Sequence, residues 1–269
     1  MLANFYPIAL ALLRLFAGFM FWQHGAQKLL GLFGGPAAAP FTLPWFAGVA
    51  EFVGAFAIVA GFLTRPVSII LAVDMAILYL TRFLPEAFPP VLNRNGETAI
   101  LLALIAALLV VRGPGKFSVD EAIGKRQSAM DLRLQEYYPA VLSVIRLIIG
   151  LLFLQHGLQK IFGLLNGEPY PFPQLRWFAG MIELFAGPAL ALGLFTRPIA
   201  FLVCGEMAFA YFINHNPRNF WPILNQGEWT VLYCYIFLFL VTAGPGKFSL
   251  DGTLWGKTER AQEPAVLRN

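Results

Sequence analysis

Twelve side chains that can carry charge stand inside or at the ends of apolar runs of this chain, in two matching sets. Arg14, His24, Lys28, Glu51, Asp74 and Glu97 form the first; Arg146, His156, Lys160, Glu183, Glu206 and Glu228 form the second. Ionisable groups in apolar segments are costly, so they face a protein interior, paired or at work. Helical spacing sorts them. Arg14, Gly18, Phe21, Gly25 and Lys28 follow steps of four and three, which puts them on one stripe, and Arg146, Gly150, Phe153, Gly157 and Lys160 repeat it. The glycines predict a tight helix seam. Glu51 sits between Gly48 and Ala55, and Glu183 between Gly180 and Gly187, again an acid framed by small residues. Depth allows an Arg14–Asp74 pair near the midplane, with Arg146–Glu206 as its equivalent; Arg14–Glu51 is the other pairing open. Each set has more acids than Arg and Lys together, so one carboxyl per set is left to hold a proton. A protonatable carboxyl beside a histidine suits proton-coupled redox or transport chemistry. The competing reading is structural, with the charges fixing helix register and assembly.

The elements that must position these groups follow from a duplication. Residues 14–28 recur at 146–160, Trp45-Phe-Ala-Gly48 at Trp177-Phe-Ala-Gly180, and Gly61-Phe-Leu-Thr-Arg-Pro66 at Gly193-Leu-Phe-Thr-Arg-Pro198, all 132 positions apart. After a one-residue deletion Gly96-Glu97 returns at Gly227-Glu228, and Gly113-Pro-Gly-Lys-Phe-Ser-Val-Asp120 at Gly244-Pro-Gly-Lys-Phe-Ser-Leu-Asp251. Each unit holds four apolar segments: 6–24, 45–63, 66–84 and 96–112, then 138–156, 177–195, 198–214 and 227–243. The expected fold is all-α, a polytopic membrane protein of two parallel four-helix repeats and eight spans. The fourth segments are the weakest, because their uncharged runs are short. The expected layout is a first unit 1–122, a cytoplasmic linker 123–137, a second unit 138–253 and a tail 254–269. The first segment does not read as a signal peptide. It lacks a basic start, Arg14 interrupts it, and it recurs internally.

Composition agrees. A soluble domain carries about 25% charged residues; this chain has 13%, with 58% hydrophobic residues and 26 phenylalanines among 269, and a mean hydropathy of +0.66. A soluble globule and a disordered chain are both excluded. A net charge of +4, with the basic residues mostly in flanking loops, disfavours nucleic acid. Eleven Lys and Arg collect on the side of the termini and the linker, against six on the side of His24 and Lys28. That bias predicts cytoplasmic termini.

The remaining motifs promise less. Thr64-Arg65-Pro66 and its copy read as a tight turn, with Pro opening the next helix. The Gly-Pro-Gly-Lys segments read as helix terminators followed by an interfacial stretch. Met75 and Met207 read as core. No zinc spacing is present. His24 and His156 could be paired haem ligands, but each neighbours a lysine and no haem-attachment motif exists. His215 has no counterpart and reads as an outer-loop residue. Cys204 and Cys234 read as buried, inert thiols, with a disulfide across two helices as the alternative.

The ordered set of Arg14, Gly18, His24-Gly25 and Lys28, then Glu51, Thr64-Arg65, Asp74-Met75, Gly96-Glu97 and the segment 113–120, resembles the DoxX family, and resembles it twice. The resemblance implies a four-helix membrane unit, here fused like a covalent homodimer, in a prokaryotic inner membrane. It also implies a redox role, since related proteins form the membrane subunit of thiosulfate:quinone oxidoreductase. It transfers no catalytic residue. The expectation is a quinone-linked component, with a quinone ring near Phe21 and Trp45, or near Phe153 and Trp177. His24 and Glu51 would exchange protons with it, and Arg14 would favour its reduced anion. The lipid bilayer and a soluble or membrane oxidoreductase are the expected partners. Two alternatives stay open: a small-anion transporter using the Arg/Lys/His column, and a non-catalytic scaffold that recruits a soluble oxidoreductase through 113–137.

Overall fold

The computed structural model describes residues 2–124 and 128–259. The first repeat consists of α1 (Tyr6–Leu30), α2 (Leu43–Ala60), α3 (Thr64–Leu78) and α4 (Arg94–Arg112). A linker helix α5 (Ala129–Glu136) leads to α6 (Tyr138–Phe162), α7 (Leu175–Leu192), α8 (Thr196–Ala210) and α9 (Glu228–Ala243), and α10 (Leu250–Glu259) follows. The chain is a polytopic membrane protein. Among the described residues seven helical runs are long and apolar enough to cross a bilayer, with α3 counted through to Glu86 and α8 through to His215. The expected eighth, α9, has only 16 residues, about 24 Å at 1.5 Å per residue against a hydrocarbon core of about 30 Å. Its start is set by Gln226, held at φ 58°, and by the short helix Pro222–Asn225 before it.

Burial separates two layers. About 56–61% of the best apolar window is buried in α1, α4 and α6, against 17–33% in α2, α3, α7 and α8. A central bundle of α1, α4, α6 and α9 is therefore flanked by two outer pairs. The outer helices show Phe56, Ile70, Phe185 and Phe201 outward, each more than half exposed, as lipid-facing surfaces do. Within each repeat the first helix packs on the second and the third on the fourth. The first helix also packs on the other repeat: α1 on α9, and α6 on α4. Equivalent residues Tyr6 and Tyr138 meet, the Tyr6 hydroxyl donating to that of Tyr138 at 3.0 Å. That contact marks a pseudo-twofold axis running along the helices, as parallel repeats require. Arg112 joins it. Its Nε donates to the Tyr6 hydroxyl, and its guanidinium lies 5.1 and 5.8 Å from the two ring centres.

The glycine seam is real. A Cβ on Gly157 would stand 2.5 Å from the Leu184 nitrogen and 2.7 Å from its Cα, and one on Gly150 2.5 Å from the Ala191 nitrogen. Backbone cannot yield as a side chain can. Gly157→Ala should lower stability by about 1–3 kcal/mol, read by thermal unfolding in detergent. Gly205→Ala, whose Cβ would meet nothing within 4 Å, should melt with the wild type; an equal loss in both would disprove the seam.

The midplane pairs Arg14–Asp74 and Arg146–Glu206, and the alternative Arg14–Glu51, do not form. Arg14 Nη1 donates to the Pro114 carbonyl, and Nη2 to those of Phe117 at 2.6 Å and Val59 at 3.4 Å. Arg146 donates to Pro245 at 2.8 Å, to Ala191 at 2.9 Å and to Leu190 and Phe248. The reason is the Gly-Pro-Gly-Lys loop, which folds back over the end of the bundle and presents carbonyls that lack a helical partner. The aspartate closing each loop completes the joint. Asp120 accepts from the Leu63 and Thr64 amides at 3.1 Å each, and Asp251 from those of Phe195 and Thr196 at 2.7 and 2.8 Å. Each aspartate thus caps the start of a third helix, where a negative charge is favoured. Arg65 and Arg197 treat the end of the fourth helix similarly, donating to Val110 at 3.0 Å and to Val241 and Thr242 at 2.7 and 2.8 Å. The segment read as a plain linker carries α5, with a Ser128/Asp131 capping box and an Asp131–Arg65 ion pair. Of the basic residues counted for orientation, Lys125, Arg126, Arg260 and Arg268 lie outside the described residues, as does tail residue 260 onward.

Candidate functional site

The other end of the bundle gathers the remaining charges. The first helices run six residues further than their apolar segments suggested, because Gln, Lys and Leu continue them until Gly31 and Gly163 turn left-handed at φ 66° and 65°. His24 and His156 therefore lie within helices rather than at their ends, while Lys28 and Lys160 stand in the last turns, as expected. Lys28 Nζ reaches Glu51 Oε1 at 2.5 Å, and Lys160 pairs with Glu183 in the same way. Both glutamates are fully buried. A second acid stands beside each pair: Asp74 within electrostatic reach of Lys28 and Glu51, and Glu206 of Lys160 and Glu183. Asp74 Oδ2 and both oxygens of Glu206 are buried without a hydrogen-bond partner. Each lysine thus serves two carboxyls and hydrogen-bonds one. One negative charge per set remains for a proton or a cation to balance.

The histidines cross the molecular axis. His24 Nε2 stands 2.9 Å from Glu228 Oε1, and His156 Nε2 stands 2.8 and 3.0 Å from the Glu97 oxygens. Each histidine of one repeat meets the fourth-helix glutamate of the other. Two glutamines cross likewise: Gln23 accepts from the Ile223 amide at 3.2 Å, and Gln155 from that of Val91 at 3.4 Å. Glu97 and Glu228 occupy the first turns of α4 and α9, where the helix dipole favours an acid.

The two copies are not equal. The Tyr233 hydroxyl donates to Glu97 Oε1 at 2.6 Å. Trp229 stacks on the His156 ring, with centroids 4.8 Å apart and planes 13° from parallel. Their counterparts in the first repeat are Leu102 and Thr98, which can make neither contact. A half-open cavity of about 1390 Å³ also lies largely against the second repeat, with Val91, Leu92 and Arg94 of the first on its wall. His156, Lys160, Glu183 and Glu206 share its wall with Gly205 and Phe201 of α8. Gly205 replaces Val73 of the first repeat. His215 is not a loop residue. It is 7% exposed, closes a π-helical turn after α8, donates from Nδ1 to the Asn225 carbonyl at 3.0 Å, and lines the same cavity. The equivalent π turn Tyr79–Phe83 follows α3. Such insertions re-aim side chains near functional sites.

The DoxX family model matches residues 9–82 and 141–216, more than half of the chain and once in each repeat. The chain belongs to the DoxX family. An uncharacterized protein of Haemophilus influenzae is 35% identical over 131 residues, which cover 46% of this chain and 98% of that protein. An uncharacterized membrane protein of Mycobacterium tuberculosis is 28% identical over 134 residues, covering 43% of this chain and 82% of that protein. The Haemophilus protein thus has the length of a single DoxX repeat. No solved structure matches the chain.

In this DoxX protein the expected charges divide between two ends. His24, Glu51, Asp74 and Glu228 gather on one side of the axis; His156, Glu183, Glu206 and Glu97 gather on the other. Arg14 and Arg146 belong to the loop joints, about 21 Å along the helix from Lys28 and Lys160. The Arg/Lys/His column proposed for anion passage is therefore broken. The expected aromatic pairs stand apart. Phe21 and Phe153 are fully buried in the core, Phe153 against Tyr233 and Phe237. Trp45 packs on Phe41 and Phe46, and Trp177 on Phe172 and Phe178. Tyr233, Trp229 and His215 went unnoticed as site residues. A comparison of the repeats flags them, because each replaces an apolar or small residue of the first copy.

Proposed function

We propose that this DoxX protein is the quinone-handling membrane component of a redox system, and that the cavity of the second repeat is its quinone site. The observation that carries the reading is the make-up of that cavity wall. It joins Phe201 and Phe209, which face outward at 71% and 52% exposure, to His156, Lys160 and the unpartnered Glu206 carboxyl. A molecule with an isoprenoid tail and a polar ring needs such a wall, apolar on the lipid side and polar at its inner end. Its volume accommodates a ring together with part of a tail.

A bound quinone supplies a carrier of two electrons and two protons. The chain's own residues do the rest. Lys160 and His156 offer N–H donors for ring carbonyls. The free oxygens of Glu206 accept from ring hydroxyls. Trp229 holds the His156 ring in plane, and Tyr233 holds Glu97 against it, so a proton placed on His156 Nε2 can pass to Glu97 at 2.8 Å. Crossing the axis makes this relay depend on both repeats. The positive-residue bias supports cytoplasmic termini in a prokaryotic inner membrane, with the histidine end outward. Electron exchange with an oxidoreductase partner follows from the same reading.

The test is saturable binding of a short-tailed quinone to the full-length protein in detergent. Gly205→Phe puts a phenyl group into the cavity at a position where an added Cβ meets nothing within 4 Å. It should weaken binding at least tenfold while thermal stability holds. Unchanged affinity in this variant, or no saturable binding by the folded wild type, overturns the reading.

A further inference from the structure

Cys204 and Cys234, in α8 and α9, bring their sulfurs to 3.8 Å. Both thiols are free and partly buried. A disulfide has an S–S distance of about 2.05 Å, so oxidation asks for a closure of about 1.8 Å between side chains that already face each other. Cys204 lines the cavity together with Gly205 and Glu206. The first repeat has Ala72 and Ala103 at these two positions. The thiol pair and the cavity are thus features of the same repeat.

Position limits what can oxidise the pair. Cys204 lies eight residues into α8 and Cys234 six residues into α9, about 9–12 Å from the helix ends. A water-soluble disulfide exchanger would have to enter an apolar interior. A lipid-soluble oxidant reaches the cavity directly. We propose that Cys204 and Cys234 form a redox-active dithiol that exchanges two electrons with a quinone in the adjoining cavity, a step that rests on the quinone reading above. In the forward direction the two S–H bonds break and one S–S bond forms. The two electrons pass to the quinone, its oxygens take up two protons, and hydroquinone is released. The reverse step reduces the disulfide with hydroquinone. The pair then supplies what the charged groups alone cannot, a store for two electrons inside the chain.

The experiment keeps the full-length protein, reduced and freed of reductant, under anaerobic conditions. It is incubated with a short-tailed quinone, quenched in acid, denatured, and alkylated with a maleimide. Intact mass then counts free thiols, and ultraviolet absorbance counts hydroquinone. Two adducts per chain should fall to none, one hydroquinone should appear per chain, and dithiothreitol should restore both adducts. Cys204→Ala and Cys234→Ala each install the residue of the first repeat. Neither should produce hydroquinone, and Cys234→Ala, which changes a residue outside the cavity wall, should bind quinone as the wild type does. Saturable binding with both thiols still alkylated overturns the dithiol and leaves the quinone site standing. Oxidation of the pair without saturable binding overturns the coupling, and with it the quinone site.

Discussion

Arg146→Ala should melt on the order of 10 °C below the wild type. Four carbonyls, those of Pro245, Leu190, Ala191 and Phe248, accept from this one guanidinium, and only that of Leu190 is seen to accept from a backbone amide as well, that of Gly193. Arg146 is 2% exposed, so water cannot replace it. Breaking a buried charged network by removing one member costs about 3–5 kcal/mol, and at this chain length each kcal/mol shifts Tm by about 2–4 °C. Arg146→Lys keeps the charge but has no fork, so it should recover only part of the loss. Thermal unfolding in detergent, followed by circular dichroism, reads all three. A variant that melts with the wild type yet loses turnover would return Arg146 to the redox chemistry and refute the joint. A smaller loss is expected for Arg14→Ala, whose three carbonyl partners are the counterparts of Pro245, Ala191 and Phe248. Neither arginine variant is therefore a clean probe of ligand binding.

The second large effect falls on Glu97. Glu97→Gln keeps the shape, and it keeps an acceptor for Tyr233, but it ends proton exchange with His156. General acid–base groups contribute about 10²–10⁴-fold to rate, so quinone-linked turnover should fall by that range while quinone affinity stays within about threefold. Glu228→Gln should cost far less. Its histidine, His24, has neither a stacked indole nor a tyrosine on its glutamate, since Thr98 and Leu102 stand in those places. Equal losses in the two variants would mean that the repeats share the work, and would contradict a single working site.

The duplication, the parallel arrangement and the glycine seams were legible in the residues themselves. They rest on local spacing, and helix geometry converts spacing into a face. The pairing of charges was not legible in the same way. Depth along a helix placed Arg14 near Asp74, but depth says nothing of a loop that folds back and offers carbonyls. The Gly-Pro-Gly-Lys segment looked like an ending, and its aspartate gave no local sign of capping a helix 56 or 57 residues earlier. The histidine crossover was hidden because each unit was balanced internally, whereas α1 packs beside α9. His215 was misjudged because its neighbours Asn214, Asn216 and Pro217 look like a loop, although a π turn carries the ring inward. The sulfur pair was only one option in the sequence, since 30 residues separate Cys204 from Cys234 and helix contact alone decides the gap.

An assembly of two identical chains must write every change twice. A substitution on its symmetry axis meets its own copy. Arg112 sits beside such a point, over the Tyr6–Tyr138 contact, and its counterpart is Ala243. Two separate subunits bearing this arginine would crowd two cations around one pair of phenols, a repulsion of several tenths to a few kcal/mol at such separations. A joined chain can carry the residue once. Covalent fusion therefore does more here than hold partners together: it opens the axis itself to monovalent inventions that no homodimer could keep.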